Sequence, residues 1–350
     1  MTERYLEDLE SRIDEAVEEE LFNKWRDFAD GRFTGEIFYP LRAKAAPPKI
    51  VWPKVSINEA FHDPEKMLLH QYRRSSEFLA SGDGSLMCVR ANYGTSILAS
   101  LFGVKLFMMD EKLDTLPTSW PLEGGSDAIE RIVKAGVPDV RQALGAKGLE
   151  IGRRFVEIAR KYPKIAKHVH IYHLDLQGPM DICEVVRGSE VFYDLVDKPD
   201  LIKAFLNVIT EAYIRLMKEW DAIIAPRGNY AVHWEMLHRG HVMLRDDSAM
   251  NLSPAMYEEF VKPFDQRVFD AFGGGAIHFC GRCDHYIESM SAMRGLYAVN
   301  MSQPHLNDVE KVLRSTVDKG ISVLALPRSA AEAALARGRD LKGLVHSLPD

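Results

Sequence analysis

From Ser85 onward, short apolar runs alternate with long amphipathic segments, and this alternation limits the possible folds more than any other feature of the sequence. The runs read as strands, because each has the length and β-branched or aromatic content of one. They lie at residues 86–90, 168–176, 230–237, 276–279, 296–301 and 321–326. Regular alternation of strands and helices is typical of a parallel sheet covered by helices, so the chain is predicted to be an α/β protein.

Three of the intervening segments carry clear helix signals. Residues 199–220 begin with Pro199 and place apolar side chains at helical spacing, namely Leu201, Phe205, Val208, Ala212 and Leu216. A second helix is expected from Ser253 and Pro254 to the glycines after Phe272, with a bend at Pro263. The third, residues 306–320, ends at Gly320 and leads directly into a strand.

An open doubly wound sheet and a closed barrel both fit this order of elements. No G-x-G-x-x-G follows a strand, so the usual dinucleotide-binding signature is missing. The length and the polar strand ends favour a (β/α)₈ TIM-type barrel over residues 81–350, with its site at the carboxyl ends of the strands. Residues 1–80 are polar and helical in pattern, and we expect them to form an N-terminal helical extension that caps the barrel.

Charge and composition exclude several classes of partner. Net charge is −7 and the basic residues are dispersed, so nucleic acid is not expected. The acidic N-terminus does not resemble a secretory signal, and the longest apolar stretch, residues 97–109, is too short for a membrane helix. Four unevenly spaced cysteines do not form a disulfide scaffold, which favours a reducing cytoplasm.

The stretch IHFCGRC, residues 277–283, is a candidate metal site. Side chains two apart in a strand face the same side, so His278 and Cys280 project together as two ligands of one ion would. Gly281 then allows the chain to turn, which leaves open whether Cys283 returns to the same point, and Glu235 is another candidate third ligand. Zinc accepts such a mixed set. The alternative is a hydrogen-bonded histidine and two buried cysteines.

Other polar residues at strand ends are candidates for lining a pocket. Asp175, Glu235, Asp246 and Asp247 are candidate catalytic carboxylates, and the candidate substrate-binding residues are Asn92, Tyr93, Gln177, His233 and Arg239. Each has a simpler alternative as a strand-end, loop or helix-capping residue. Cys88 and Cys183 lie within apolar patterns and are expected to be core residues.

Three segments together resemble the uroporphyrinogen decarboxylase superfamily, which includes the methylcobamide:coenzyme M methyltransferases. They are residues 176–210, 246–264 and 277–290, and the resemblance extends over about residues 85–350. It implies a (β/α)₈ barrel. The decarboxylase branch fits less well, because its arginine-rich N-terminal motif is not visible and Asn92 stands roughly where that branch has an aspartate.

The methyltransferase branch holds zinc with an H-x-C pair and a distant cysteine. His278 and Cys280 match the pair, but no cysteine follows Cys283, so Cys283, Glu235 or His346 would have to be the third ligand. The resemblance implies methyl transfer between a small thiol or methylated substrate and a corrinoid. No D-x-H-x-x-G corrinoid motif is present, so the corrinoid would arrive on a separate protein. A homodimer is compatible with the resemblance.

Two rival hypotheses remain open from the sequence. A metal-independent lyase related to the decarboxylases would hold a small carboxylate or tetrapyrrole-type substrate with Arg90, Arg239 or Arg245, and it would resist chelators. A non-catalytic barrel would bind a ligand or partner protein without forming a product.

Overall fold

The computed structural model describes residues 2–349. Its helices are α1 Glu3–Arg12, α2 Glu15–Ala29, α3 Ile57–His62, α4 Pro64–Ser81, α5 Ile97–Ser100, α6 Gly125–Ala135, α7 Ala143–Lys161, α8 Pro163–His168, α9 Pro179–Arg187, α10 Val191–Asp197, α11 Pro199–Ile223, α12 Pro254–Phe260, α13 Lys262–Phe272, α14 Ile287–Met290, α15 Val309–Thr316 and α16 Arg328–Ala336. Within this range, none combines the length and the apolarity that a membrane-crossing helix needs.

The strands are β1 Ile37–Phe38, β2 Cys88–Val89, β3 Lys105–Phe107, β4 Thr118–Trp120, β5 His170–Ile171, β6 Tyr230–His233, β7 Met236–Arg239, β8 Val242–Arg245, β9 Gly275–Phe279, β10 Leu296–Met301, β11 Ser322–Pro327 and β12 Val345–Leu348. The mixed α/β class expected from the alternation of patterns is confirmed. The chain forms two compact units, one made of residues 2–20, 41–177 and 182–225 and the other of residues 21–40, 178–181 and 226–349.

The first unit is mainly helical. It contains the parallel pair β2–β5 and the antiparallel hairpin β3–β4. Helix α11 supplies much of its core: Phe205, Ala212 and Leu216 are buried as the apolar spacing predicts. Leu201 and Val208 are only partly buried and lie at the edge of that face. The buried residues beside them are Ile202 and Ile209.

The second unit is built on a six-stranded parallel sheet in the order β1-β12-β11-β10-β9-β8. Neighbouring strands pair in parallel throughout. The carboxyl ends of parallel strands meet at one edge of a sheet, so side chains from the ends of β8, β9 and β10 come together there. This edge carries the candidate site.

Most of the predicted strands exist, although several are shorter than expected. Residues 276–279, 296–301 and 321–326 correspond closely to β9, β10 and β11, while residues 168–176 contain only the two-residue strand β5. Residues 230–237 do not form one strand. They contain β6 and the beginning of β7, which pair as an antiparallel hairpin. The apolar pattern continues through the turn at Trp234 and Glu235, so the sequence does not show that the chain reverses direction there.

Three strands of the sheet were not predicted from the sequence, and one helix differs. Strands β1, β8 and β12 are short, and β1 lies within the segment expected to be helical. The predicted helix of residues 253–272 is two helices, α12 and α13, that meet at Val261 rather than one helix bent at Pro263. The proline ring excludes the backbone hydrogen bond of a continuous helix, so the chain breaks two residues before Pro263. The expected domain boundary at residue 80 stays a prediction.

Candidate metal centre

Three side chains at the carboxyl edge of the sheet bring a carboxylate, an imidazole and a thiol together. The ligand atoms of Asp247, His278 and Cys280 all lie within 4.8 Å of one another. His278 Nε2 is 3.4 Å from Cys280 Sγ and 3.8 Å from Asp247 Oδ1. We call this group the Asp247–His278–Cys280 triad. Strand β9 positions His278, and the chain leaving β9 carries Cys280 to the same side, as the alternation of side chains in a strand predicts.

The donor set of the triad fits zinc. Oxygen, nitrogen and sulfur donors are all zinc ligands, and catalytic zinc sites have three protein ligands and one position left for water or substrate. The side chain of Asp247 is 44% exposed, which leaves one side of the triad open to solvent. The arrangement therefore has the ligand number and the access of a catalytic rather than a structural zinc site.

The imidazole of His278 is oriented for ligation by Nε2. Its Nδ1 lies 2.6 Å from Asn300 Oδ1, and the Asn300 amide nitrogen donates a hydrogen bond of 3.0 Å to the Leu324 carbonyl. That second bond turns the amide so that its oxygen faces His278. An amide oxygen only accepts, so Nδ1 carries the imidazole proton and Nε2 keeps its lone pair. Such an outer partner is typical of metal-bound histidines.

The Cys280 sulfur has its own hydrogen-bond donor. The Ser302 hydroxyl donates to Sγ over 3.2 Å, and the Cys280 backbone N–H donates to Asp247 Oδ1 over 2.7 Å. Burial raises the pKa of the thiol, the Ser302 hydrogen bond opposes this, and the Asp247 carboxylate adds to it. The thiol is therefore protonated at neutral pH in the absence of a cation, and metal binding would release its proton.

Asp247 is held through its backbone by a buried carboxyl group. The Asp181 side chain accepts hydrogen bonds from the backbone N–H groups of Asp247 (3.0 Å) and Ser248 (2.8 Å). Burial raises the pKa of Asp181 well above its usual range, and the nearby Asp247 and Asp246 add to the effect. Asp181 was not predicted from the sequence, because it looks like an ordinary acidic residue in the first turn of α9.

Asp246 and Asp265 form a buried carboxyl pair next to the triad. Both carboxyl groups are buried, and after burial the charge of the neighbouring Asp265 is the next cause that raises the pKa of Asp246. Burial raises the pKa of both groups, that of Asp265 to about 8. Asp246 was predicted as a catalytic carboxylate, and its pKa lies well above the usual range because the group is buried beside Asp265 and Asp247.

This carboxyl pair makes folding stability depend on pH. Because the folded-state pKa values lie above those of the unfolded chain, the pair stabilises the fold at low pH, and this contribution is lost as the pH rises toward 8. We expect the free energy of unfolding, measured by urea denaturation, to fall between pH 5 and pH 8 by up to about 1.4 kcal/mol per pH unit per proton. Asp265→Asn should flatten this dependence.

The matched control is Asp270→Asn, an exposed aspartate on the same helix, α13, paired with Arg294. It should leave the slope as in the wild type. Equal slopes in the wild type and Asp265→Asn would show that the pair does not hold an extra proton in the folded state.

A strained hairpin turn places an aromatic ring beside the triad. Trp234 and Glu235 link β6 to β7 as a two-residue turn, and both have positive φ, 45° and 66°. Glycine and asparagine are the usual residues in such turns, so these two cost about 1–2 kcal/mol each. The Trp234 ring lies edge-to-face with His278 at 4.8 Å, and the Arg245 guanidinium lies 4.8 Å from the ring centre. Retained strain of this kind is a feature of functional sites.

The remaining predicted residues of this unit lie around the hairpin and in the sheet. His233 is fully buried and its Nδ1 is 2.8 Å from Nε2 of His238, whose own Nδ1 donates to the Arg239 carbonyl. Burial lowers the pKa of His238 to about 4, so this pair is not doubly charged at neutral pH. Arg239 is exposed and lies 4.5 Å from the centre of the Tyr297 ring.

The proposed third ligands Cys283, Glu235 and His346 are not members of the triad; Asp247 is. Cys283 is buried and its backbone N–H donates to Asn307. Glu235 lies in the strained turn. His346 is buried among aromatic rings in β12. The sequence missed Asn300, Ser302 and Trp234. A polar residue inside the apolar run LYAVNM was the one signal for Asn300.

Two of the predicted residues of the other unit, Asp175 and Gln177, form a polar cluster with Arg90. Asp175 forms an ion pair with Arg90 at 2.6 Å and accepts a hydrogen bond from Gln177 at 3.3 Å. Asn92 is buried, and the Tyr93 ring packs edge-to-face on Phe61 at 5.4 Å. Burial raises the pKa of Tyr93 to about 12. The Arg90 charge is thus balanced by Asp175 within the protein.

Comparison with known proteins identifies a solved structure with the same fold. No protein-family model matches the sequence, and no curated protein matches it. Among solved structures, a methyltransferase from Methanosarcina mazei superposes with a TM-score of 0.62. The two chains are 16% identical, and the match covers 93% of this chain and 92% of the other. At that identity the likeness establishes the shared fold.

Proposed function

We propose that this protein is a zinc-dependent methyltransferase. It would move a methyl group between a small substrate, either a thiol or a methylated donor, and a corrinoid carried on a separate protein. The Asp247–His278–Cys280 triad is the observation that carries this proposal. The shared fold with a methyltransferase supports it, as does the sequence resemblance to corrinoid-dependent methyltransferases.

In this proposal, zinc held by the triad supplies Lewis acidity at an open fourth position. The residues around the triad orient and hold its three side chains. Asn300 keeps the His278 proton on Nδ1, and Ser302 directs a hydrogen bond to the Cys280 sulfur. Asp181 holds the backbone at Asp247. The Trp234 ring packs edge-to-face against His278.

Several finer features belong to the same proposal. A (β/α)₈ TIM-type barrel is one of them, and the parallel six-stranded sheet with its many helices is compatible with it. We retain Asn92, Tyr93, Gln177, His233 and Arg239 as substrate-binding candidates and Asp175, Glu235 and Asp246 as candidate pocket carboxyls. A corrinoid protein as partner, a homodimer and a cytoplasmic location also remain proposals.

Metal content and methyl transfer test the proposed function together. The purified protein should contain about one zinc per chain by elemental analysis, since the triad offers a single set of ligands. Incubated with cob(I)alamin and a panel of methylated donors, or with methylcobalamin and small thiols, it should change the cobalamin absorption spectrum. Removal of zinc by a chelator should abolish the change, and added zinc should restore it.

His278→Ala should lose both zinc and activity, whereas His305→Ala, which replaces an exposed histidine, should retain both. Zinc binding without methyl transfer from any donor would overturn the reaction but leave the metal site. Full activity after zinc removal would overturn the proposal and favour a metal-independent reaction. The ion pair between Arg90 and Asp175 speaks against Arg90 as the carboxylate anchor of such a reaction.

A further inference from the structure

One row of residues crosses four neighbouring strands of the sheet at the level of His278. In the register of the sheet, His278 on β9 lies beside Asn300 on β10, and Asn300 lies beside Leu324 on β11. His346 on β12 continues the row. Val345 pairs with Val323 and Ser347 pairs with Leu326, so His346 lies opposite the residues between Val323 and Leu326. The row therefore connects the triad to a histidine three strands away.

Strand β11 has a bulge at the point where it meets His346. Two residues, Leu324 and Ala325, lie opposite the single residue His346. Ala325 has a φ of +58°, a left-handed conformation that costs a residue with a side chain about 1 kcal/mol. The Ala325 backbone N–H donates a hydrogen bond of 3.1 Å to His346 Nδ1. This bond joins the bulge directly to the His346 side chain.

The surroundings of His346 fix its role as an acceptor. It is 3% exposed and packs against the rings of Trp25 at 4.7 Å, Phe38 at 6.0 Å and Phe28 at 6.3 Å. Burial in these rings lowers the pKa of His346 to about 3, so the imidazole is neutral. A neutral imidazole that accepts at Nδ1 carries its proton on Nε2.

The bulge sets the direction of the Leu324 carbonyl, and this carbonyl orients Asn300. The Asn300 amide nitrogen donates to Leu324 O, which leaves the amide oxygen to accept from His278 Nδ1. If the bulge relaxed to a regular strand, the pairing of β11 with β12 would shift by one residue. Such a shift turns the residues that follow to the opposite face of the sheet, so the peptide between Leu324 and Ala325 would have to rotate. The amide of Asn300 would then lose the bond that decides its orientation.

We propose that His346 is a positioning residue for the metal centre, acting through the bulge at Ala325, the Leu324 carbonyl and Asn300 to fix the tautomer and rotation of the His278 imidazole. The inference rests on the proposed function in that His278 is taken as a zinc ligand. It also assigns a role to His346 other than that of the third ligand.

Two substitutions of His346 separate the hydrogen bond from the packing. In His346→Asn, the amide oxygen is attached to Cγ as Nδ1 is in histidine, so an acceptor remains near the same place. His346→Leu places a methyl group there, and His346→Phe removes the acceptor while keeping an aromatic ring, in case the leucine variant does not fold. Phe28→Leu is the matched packing control, since it disturbs the ring stacked on Phe38 at 4.5 Å and leaves Nδ1 in place.

Zinc affinity is measured first, by competition with a chromogenic chelator. We expect His346→Leu and His346→Phe to bind zinc about tenfold more weakly, the effect typical of outer-shell residues, and His346→Asn to stay close to the wild type. Phe28→Leu should lower the free energy of unfolding without a comparable loss of zinc affinity. Equal losses in Phe28→Leu and His346→Leu would overturn the proposal, as would wild-type affinity in His346→Leu and His346→Phe.

The tautomer of His278 is measured second, in the metal-free protein, by ¹⁵N NMR of histidine-labelled samples with His278→Gln to assign the signal. The wild type should show the proton on Nδ1, and the variants without the acceptor should show a mixture of tautomers. This readout does not need zinc. If the wild type bound no zinc, the proposed function would fail, while the tautomer shift would still decide the role of His346: an unchanged tautomer would overturn it.

Discussion

Replacement of Asp247 by alanine is expected to weaken zinc binding by about 100-fold or more, because it removes one of three ligands from a site whose binding free energy is shared among them. Asp247 Oδ1 is 3.8 Å from His278 Nε2, and the carboxylate is the third member of the triad. The loss would be measured as an increase in the zinc dissociation constant by chelator competition. Methyl transfer should fall with it.

Two further variants decide whether ligation is the cause. In the wild type, the Cys280 backbone N–H donates to Asp247 Oδ1 over 2.7 Å. Asp247→Asn keeps an oxygen that can accept this hydrogen bond but loses the negative charge that zinc prefers. It should therefore bind zinc almost as weakly as Asp247→Ala. Cys283→Ser should bind zinc as the wild type does, since Cys283 is buried outside the triad, where burial raises the pKa of its thiol well above the usual range.

The reverse pattern, with zinc lost in Cys283→Ser and retained in Asp247→Ala, would make Cys283 the third ligand, which is one of the three alternatives that the sequence left open. It would require β9 and the loop after it to rearrange when the metal binds.

Gly275→Ala is expected to lower the free energy of unfolding by at least about 3 kcal/mol, which is a large fraction of the stability of a typical domain. Gly275 is the first residue of β9 and pairs with Val242 on β8 and Leu296 on β10. A Cβ atom at this position would overlap the carbonyl oxygen of Val242. These backbone atoms belong to β8 and cannot move aside without separating β8 from β9, so the strain falls on the strands next to the triad.

The same run of glycines provides the control. Gly273 ends α13 with a φ of +73°, and a Cβ there would meet no heavy atom within 4 Å. Gly273→Ala should therefore cost only the strain of a left-handed residue, about 1 kcal/mol. Urea denaturation of the two variants measures both values. Equal costs would show that the strands adjust to the added methyl group, contrary to the expected clash.

Local patterns were sufficient for part of the candidate site. The H-x-C spacing of His278 and Cys280 predicts that two ligands project from one side of a strand, because this depends only on the period of an extended chain. The structure has their ligand atoms 3.4 Å apart. The third member could not be predicted from the sequence. Asp247 comes close to His278 because β8 pairs with β9, and the pattern of residues did not indicate the four-residue strand β8.

The partners that tune the site were also hidden. Asn300 contacts the triad from β10, Ser302 from the residue after β10, and Asp181 from α9. The local sequence around Ser302 and Asp181 does not distinguish them from ordinary polar residues. Trp234 and Glu235 were hidden for a different reason. The apolar pattern of residues 230–237 is that of a continuous strand, and only the pairing of β6 with β7 shows that it turns back.

The sequence by itself determined the α/β class, the long helix α11, the strands β9 to β11 and the projection of His278 and Cys280 to one side of the chain. These depend on the spacing of apolar and polar residues along one segment, which acts over a few residues. Tertiary structure decided which segments lie side by side. It brought Asp247 to His278, placed Asn300 between His278 and the bulge at Ala325, and buried His346 among aromatic rings, because the register of a parallel sheet depends on packing between segments far apart in the chain.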